Sequence, residues 1–339
     1  MWDRRNYRDI DFGLLEDETF EPPDARQADE LDLTQPYIMS VLGPIVPDQL
    51  GICQPHEHIL CDPVELTGDV PDYCLDRIDL ACEDLEAFLT VGGSSLVDAT
   101  TIDYGRDLAG LRSIGQRLPV NIVAVTGRHQ HAHAARMSNS LDEDSLEREL
   151  LADIDAEIKP GLIVAGTSLG EITNVERVAV LACANVAARA GYPLSVQLAE
   201  GTMAHEALDL VEAAGLSPSR VILGRLDGRL DFDYLSGIAE RGVFLSFNRI
   251  SDGGRNADVP KAAMLVRLAQ AGYEDRLLIS QGLSRRSELI AYGGSPGWIY
   301  LLERFVLELM RAGGSAEFVR TLIIDNPANA LTIRPRLST

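Results

Sequence analysis

Residues 54–63 read QPHEHILCDP and hold two of the chain's six histidines. A strand turns successive side chains to opposite faces, so His56 and His58 point to one spot and Glu57 points away from it. A strand presents a pair of metal ligands in this way, or a pair of proton-transfer groups. Cys53 and Cys61 flank the pair. On a regular strand they have the opposite parity and read as core thiols. The stretch is the first of eight short apolar runs: LGICQPHEHI, SSLVDATT, VNIVAVTG, GLIVAGT, PLSVQLA, RVILGRL, GVFLSFN and RLLISQG. Amphipathic stretches such as NVERVAVLACANVAARAG and AHEALDLVEAAG alternate with them, several closing on a glycine that stops a helix. Strand–helix units of about 25–40 residues, repeated in this way, predict an α/β fold of the (β/α)8 TIM-barrel type. A doubly wound open sheet is the alternative. The first strand is not followed by a glycine-rich phosphate loop, which counts against it.

No linker composition interrupts residues 40–330. We therefore read 37–339 as one barrel domain with a short N-terminal hairpin, and 1–36 as an acidic, partly ordered arm. The formal net charge of −22 disfavours nucleic acid and anionic membranes as partners. No apolar run approaches the length of a membrane span. The five cysteines are scattered, without zinc spacing or a disulfide framework, and the first 36 residues carry no apolar leader core. A cytoplasmic location is the expectation.

A barrel places its chemistry at the C-terminal ends of its strands. In chain order these ends carry His56 and His58, Asp98 and Thr100, Arg128 and His129, Val164 and Thr167, Gln197 and Glu200, Arg225 and Asp227, Asn248 and Arg249, and Gln281 and Gly282, with Arg285 and Arg286 just beyond. Several guanidinium groups at one mouth of an acidic protein suggest a local anion site. Structural pairing with Asp98, Asp227 and Glu200 is the competing reading, and Arg225 with Asp227 is its clearest case. The stretch GRHQHAHAARM sets His129, His131 and His133 at alternate positions. If extended, they share a face that could take a transition metal; otherwise they form a solvated loop.

Several ordered segments together resemble the phosphotriesterase family of the amidohydrolase superfamily: SVLGPIVPDQLGICQPHEHIL, VDATTIDYGRD, GLSPSRVILGRLD, AGYEDRLLIS, YGGSPGW and DNPANAL. The resemblance implies a TIM barrel and, in most members, a binuclear metal centre that activates a bridging water for ester, lactone or phosphotriester hydrolysis. Its ligands are two histidines of strand one, a carboxylated lysine or glutamate of strand four, a histidine each from strands five and six, and an aspartate of strand eight. His56 and His58 match the first pair. Val164, Gln197, Arg225 and Gly282 stand at the other four positions. The bridging carboxylate and the aspartate supply negative charge that two cations require, and Arg225 adds a permanent positive charge instead. The expectation is therefore no metal cofactor, or one zinc on His56 and His58 with a third ligand from His129, Glu171 or Glu200.

Three functions stay open at this point. One is an enzyme with a rebuilt, largely metal-independent site for a small anionic molecule, performing hydrolysis or lyase or isomerase chemistry. The others are a ligand-binding protein without turnover and a conventional metal-dependent hydrolase. For the first, His56, His58, His129 and Arg225 are the catalytic candidates. Arg128, Gln197, Glu200, Asp227, Arg249, Gln281 and Arg286 are the substrate-binding ones. A homodimer is a further expectation, drawn from the resemblance.

Overall fold

Strand parity sorts the core into an inside and an outside. The computed structural model describes residues 31–63, 70–129 and 142–335. An antiparallel hairpin, β1 (Ile38–Ser40) and β2 (Gly43–Ile45), precedes eight parallel strands in sequential order: β3 (Cys53–Glu57), β4 (Ser95–Asp98), β5 (Asn121–Gly127), β6 (Leu162–Thr167), β7 (Leu194–Leu198), β8 (Val221–Gly224), β9 (Phe244–Phe247) and β10 (Leu277–Ile279). Val97, Val123, Val125, Leu162, Val164, Ile222, Phe244 and Leu278 fill the barrel, and Ile38, Ile45 and Leu50 from the hairpin region pack with them. Their neighbours Leu96, Ile122, Ala124, Ile163, Ala165, Leu223 and Leu245 face the surrounding helices. This alternation at period two builds a barrel with two concentric apolar layers. On β7 the inward positions are Ser195 and Gln197, both buried, so one sector of the interior is polar.

The helices follow from their caps. Thr173 accepts from Glu176 N at the start of Asn174–Ala190, and Gly191, at φ 81°, ends it. Asp107, Asp142 and Asp231 cap Leu108–Arg117, Glu143–Ile154 and Phe232–Ala239 in the same way. Near the two ends of the described residues, Tyr37 and Ile333 exchange backbone hydrogen bonds. The expected arm, residues 1–36, lies outside the described residues except for 31–36.

The seam between β10 and β3 is closed largely by side chains. Ser280 Oγ lies 3.0 Å from both His56 N and His56 O. The Glu57 carboxylate accepts from Gln281 N at 2.7 Å and Leu283 N at 3.0 Å, and lies 2.8 Å from Ser280 Oγ. The backbone adds Gly282 N to His56 O and His58 N to Leu283 O. Glu57 faces away from the spot served by its two neighbours and staples the barrel shut. One parity expectation fails. The β3–β4 register shifts between Gln54 and Glu57, so Cys53 points into the barrel interior, as His56 does at the mouth above it. Cys53 remains a core thiol, below the imidazoles.

Candidate active site

A cavity of about 430 Å³ opens at the C-terminal ends of the strands. His56 and His58 lie in it edge to face, ring centres 5.7 Å apart. His58 Nδ1 is 2.9 Å from Thr100 Oγ1, which leaves Nε2 for the pocket. Asp98 fixes the turn beyond them, accepting from Ile59 N, Leu60 N and Thr100 N. Tyr104 continues the wall, 5.3 Å from His58, and stacks on His129 at 5.4 Å. Burial holds both imidazoles in the neutral form. His58 is pushed down to about 3, with the Arg225 charge adding to burial. His56 lies well below the usual range through burial, then His58, then Arg225.

Arg225 is the cation those rings feel. It sits in the left-handed region at φ 61°, ψ 24°, and its backbone N–H donates to Asn248 Oδ1 at 2.7 Å. Its guanidinium makes no hydrogen bond or ion pair among the described residues. Burial, followed by the charge of Arg249, holds its pKa below the usual arginine value. The ion pair with Asp227 that the sequence left open is not formed. Asp227 Oδ2 accepts from Arg249 N at 2.9 Å and lies 3.7 Å from Lys261 Nζ. Glu200, Arg225 and Ser251, three of the four non-glycine residues at positive φ among the described residues, all line this pocket. Backbone strain of this kind persists where the surroundings impose it, and it clusters at functional sites.

Glu200, Arg249 and Gln281 also line the pocket. Arg249 pairs with Glu200 and Asp252 at its rim. Gln281 donates its amide to Gly297 O at 3.1 Å. Four expected substrate-binding residues do not line it. Arg128 turns outward from β5 and binds both Glu149 oxygens at 2.6 Å. Parity gives the reason: Val123 and Val125 point in, so an even-numbered residue points out. Arg286 reaches away to Cys74 O and Asp76. Gln197 lies deeper in the barrel, donating to Ser195 Oγ and accepting from Asn248 Nδ2. Asp227 sits behind Arg249. His131 and His133 lie outside the described residues.

Two features went unread in the sequence. Lys261, one of two lysines in the chain, is buried with its Nζ on Arg249 O and 3.3 Å from Asp258 Oδ1, while Tyr300 donates to Asp258 Oδ2. It anchors the loop that carries Arg249 and Asp252. The available signal was its rarity. The second is Asn248, whose side chain joins β7, β8 and β9.

At the positions where the resemblance requires metal ligands, Val164 is an apolar interior residue and the Gln197 amide is engaged by neighbours. Gly282 stands at φ 64°, and a Cβ there would lie 2.5 Å from Asn248 O. No group of three or more His, Cys, Asp or Glu side chains among the described residues is arranged to hold a metal ion.

The phosphotriesterase family model matches residues 36–331. The phosphotriesterase homology protein of Escherichia coli is 29% identical over 287 residues, covering 83% of this chain and 98% of its own. Its structure, solved with phosphate in the active site, matches with a TM-score of 0.79 over 83% of this chain and 99% of that one. A lactonase from Listeria monocytogenes matches with a TM-score of 0.83 at 26% identity, over 88% of this chain and 99% of that one. An N-acetyltaurine hydrolase of Dictyostelium discoideum is 26% identical over 276 residues, 76% of this chain and 74% of its own.

Proposed function

The chain belongs to the phosphotriesterase family, and from that premise we propose that it is a hydrolase whose site works without the family's two metals on a small anionic ester, lactone or amide. The donor set carries this reading. Two imidazoles are present, but a bridging carboxylate is not, and a guanidinium stands where strand six supplies a histidine. Two divalent cations beside a fixed positive charge and without carboxylates do not fit. The relatives support a small anion as ligand: the Escherichia coli protein holds phosphate in its active site, and N-acetyltaurine carries a sulfonate.

The single observation behind the anion is the guanidinium of Arg225, half-buried in the pocket with His56 and His58 and without a described partner. It has five donors and no acceptor, so a carboxylate, phosphate or sulfonate completes it. In the resting pocket the imidazoles are neutral but poor bases, because burial and then the Arg225 charge oppose their protonation. An anion bound on Arg225 cancels the part that comes from the cation and raises their basicity. His58 Nε2 can then take a proton from the attacking water as its oxygen bonds to the acyl carbon. The proton returns to the leaving oxygen or nitrogen as the acyl bond breaks.

Calorimetry with inorganic phosphate, in the presence of a chelator, tests the reading. We expect binding by the wild type and a loss of about tenfold or more in affinity for Arg225→Ala, as for removal of a charge-assisted hydrogen bond. Equal affinities would assign Arg225 a structural role and remove the anion site.

A further inference from the structure

Three positions that depart from the family's ligand set, Gln197, Arg225 and Gly282, belong to three different strands or the loops after them, yet all three meet Asn248. Asn248 Oδ1 accepts from Arg225 N at 2.7 Å and its Nδ2 donates to Gln197 Oε1 at 2.8 Å. Its carbonyl occupies the space beside Gly282, 2.5 Å from where a Cβ would stand. Gln197 passes the connection on to Ser195 Oγ at 2.7 Å. Gly224, the residue before Arg225, leaves room for this arrangement, since a Cβ there would come within 2.3 Å of Gln197 Oε1. Asn248 is 1% exposed, so these contacts are made out of water, where an unpaired amide is costly.

The Arg225 backbone conformation is the strained one. A non-glycine residue at φ 61° and ψ 24° leaves that region unless its surroundings hold it there. The described partner of its N–H is the Asn248 side chain. Relaxation to an extended conformation would rotate the Cα–Cβ direction and carry the guanidinium away from the imidazoles.

We propose that Asn248 is a positioning residue: held in place by Gln197, it keeps Arg225 in the left-handed conformation that aims its guanidinium into the pocket. The inference rests on the reading of Arg225 as the anion ligand. It has a consequence for the changed positions. They form one interlocked unit, so a single reversion toward a family ligand disturbs the others. An aspartate at 282 meets the Asn248 carbonyl, and a histidine at 197 removes the acceptor that orients the Asn248 amide.

Two variants test this. Asn248→Leu keeps the size and removes both polar atoms, whereas Gln197→Met leaves Asn248 in place and removes the amide that accepts from Asn248 Nδ2 and donates to Ser195 Oγ. In crystals of Asn248→Leu we expect Arg225 at negative φ, with its guanidinium displaced from His56 and His58. An unchanged Arg225 would overturn the proposal. With inorganic phosphate as the probe, we expect an affinity loss of about tenfold for Asn248→Leu and a smaller loss for Gln197→Met. In an Arg225→Ala background Asn248→Leu should have no further effect. The same loss in both backgrounds would mean that Asn248 does not act through Arg225, and the proposal falls. Should Asn248→Leu fail to fold, Gln197→Met carries the same crystallographic and binding comparison. If Arg225 moves as expected but the wild type binds no phosphate, the anion reading of the pocket fails and the positioning of Arg225 stands.

Discussion

At the scale of single residues, the site depends on neutral imidazoles beside the Arg225 guanidinium, and this has a measurable pH signature. An unfolded histidine titrates near 6.5, whereas folded His58 is held down to about 3. Between those values the unfolded chain binds more protons, so the native state loses stability as pH falls from 6.5 toward 3. The Glu57 and Asp98 carboxyls, pushed up by burial to about 7 and about 6, act in the opposite sense over the upper part of the same range. A comparison with a variant isolates the histidine. His58→Asn keeps a polar atom near Thr100 and does not titrate. We expect the wild type to lose about 3 kcal/mol relative to His58→Asn between pH 7 and pH 4 in denaturant unfolding. A gap that does not change with pH would mean that His58 is not held neutral. Much of this scale was legible, because a period of two aims His56 and His58 at one spot without any knowledge of the fold. The absence of an Arg225–Asp227 ion pair was not. Asp227 is two residues away in sequence, but the β8 loop turns its carboxylate to the Arg249 amide and Lys261. Which acid meets which base depends on long-range contacts that local spacing does not encode.

At the scale of elements, the eight strands were legible from their apolar runs, and the barrel from the alternation of those runs with amphipathic helical stretches. Parity would also have placed Arg128 outside, had Val123 and Val125 been taken as the inward set. The seam between β10 and β3 was not legible, because it relies on Glu57 and Ser280 rather than on a regular ladder. Glu57 accepts two backbone N–H groups from the loop that also supplies Gln281 and Gly282 to the pocket. Glu57→Gln must turn an amide donor toward one of these donors or toward Ser280. We expect a loss of about 2 kcal/mol, the cost of an unsatisfied buried donor. Hydrogen exchange should become faster at Gln281 and Leu283. Unchanged stability and protection would show that the seam is held without Glu57.

At the scale of the whole molecule, the acidic chain carries a barrel whose mouth gathers positive-φ residues and the guanidinium of Arg225, and whose outer layers are ordinary apolar packing. The family's scaffold is retained: the hairpin, the sequential parallel strands and the first histidine pair. On the proposed reading the departures from the family's ligand set are Val164 within β6 and Gln197, Arg225 and Gly282 at or just beyond three strand ends, and these last three are joined through Asn248. None of the described helices is long and apolar enough to cross a membrane. The central claim is that these linked changes have removed the binuclear centre while leaving a pocket for an anion. Elemental analysis of the full-length protein tests it most directly, after incubation with excess zinc, manganese or cobalt and removal of unbound metal. We expect far fewer than two equivalents per chain, because Val164, Gln197, Arg225 and Gly282 offer neither the carboxylates nor the imidazoles that a second ion requires. Close to two equivalents per chain, lost when His56 and His58 are replaced, would contradict it.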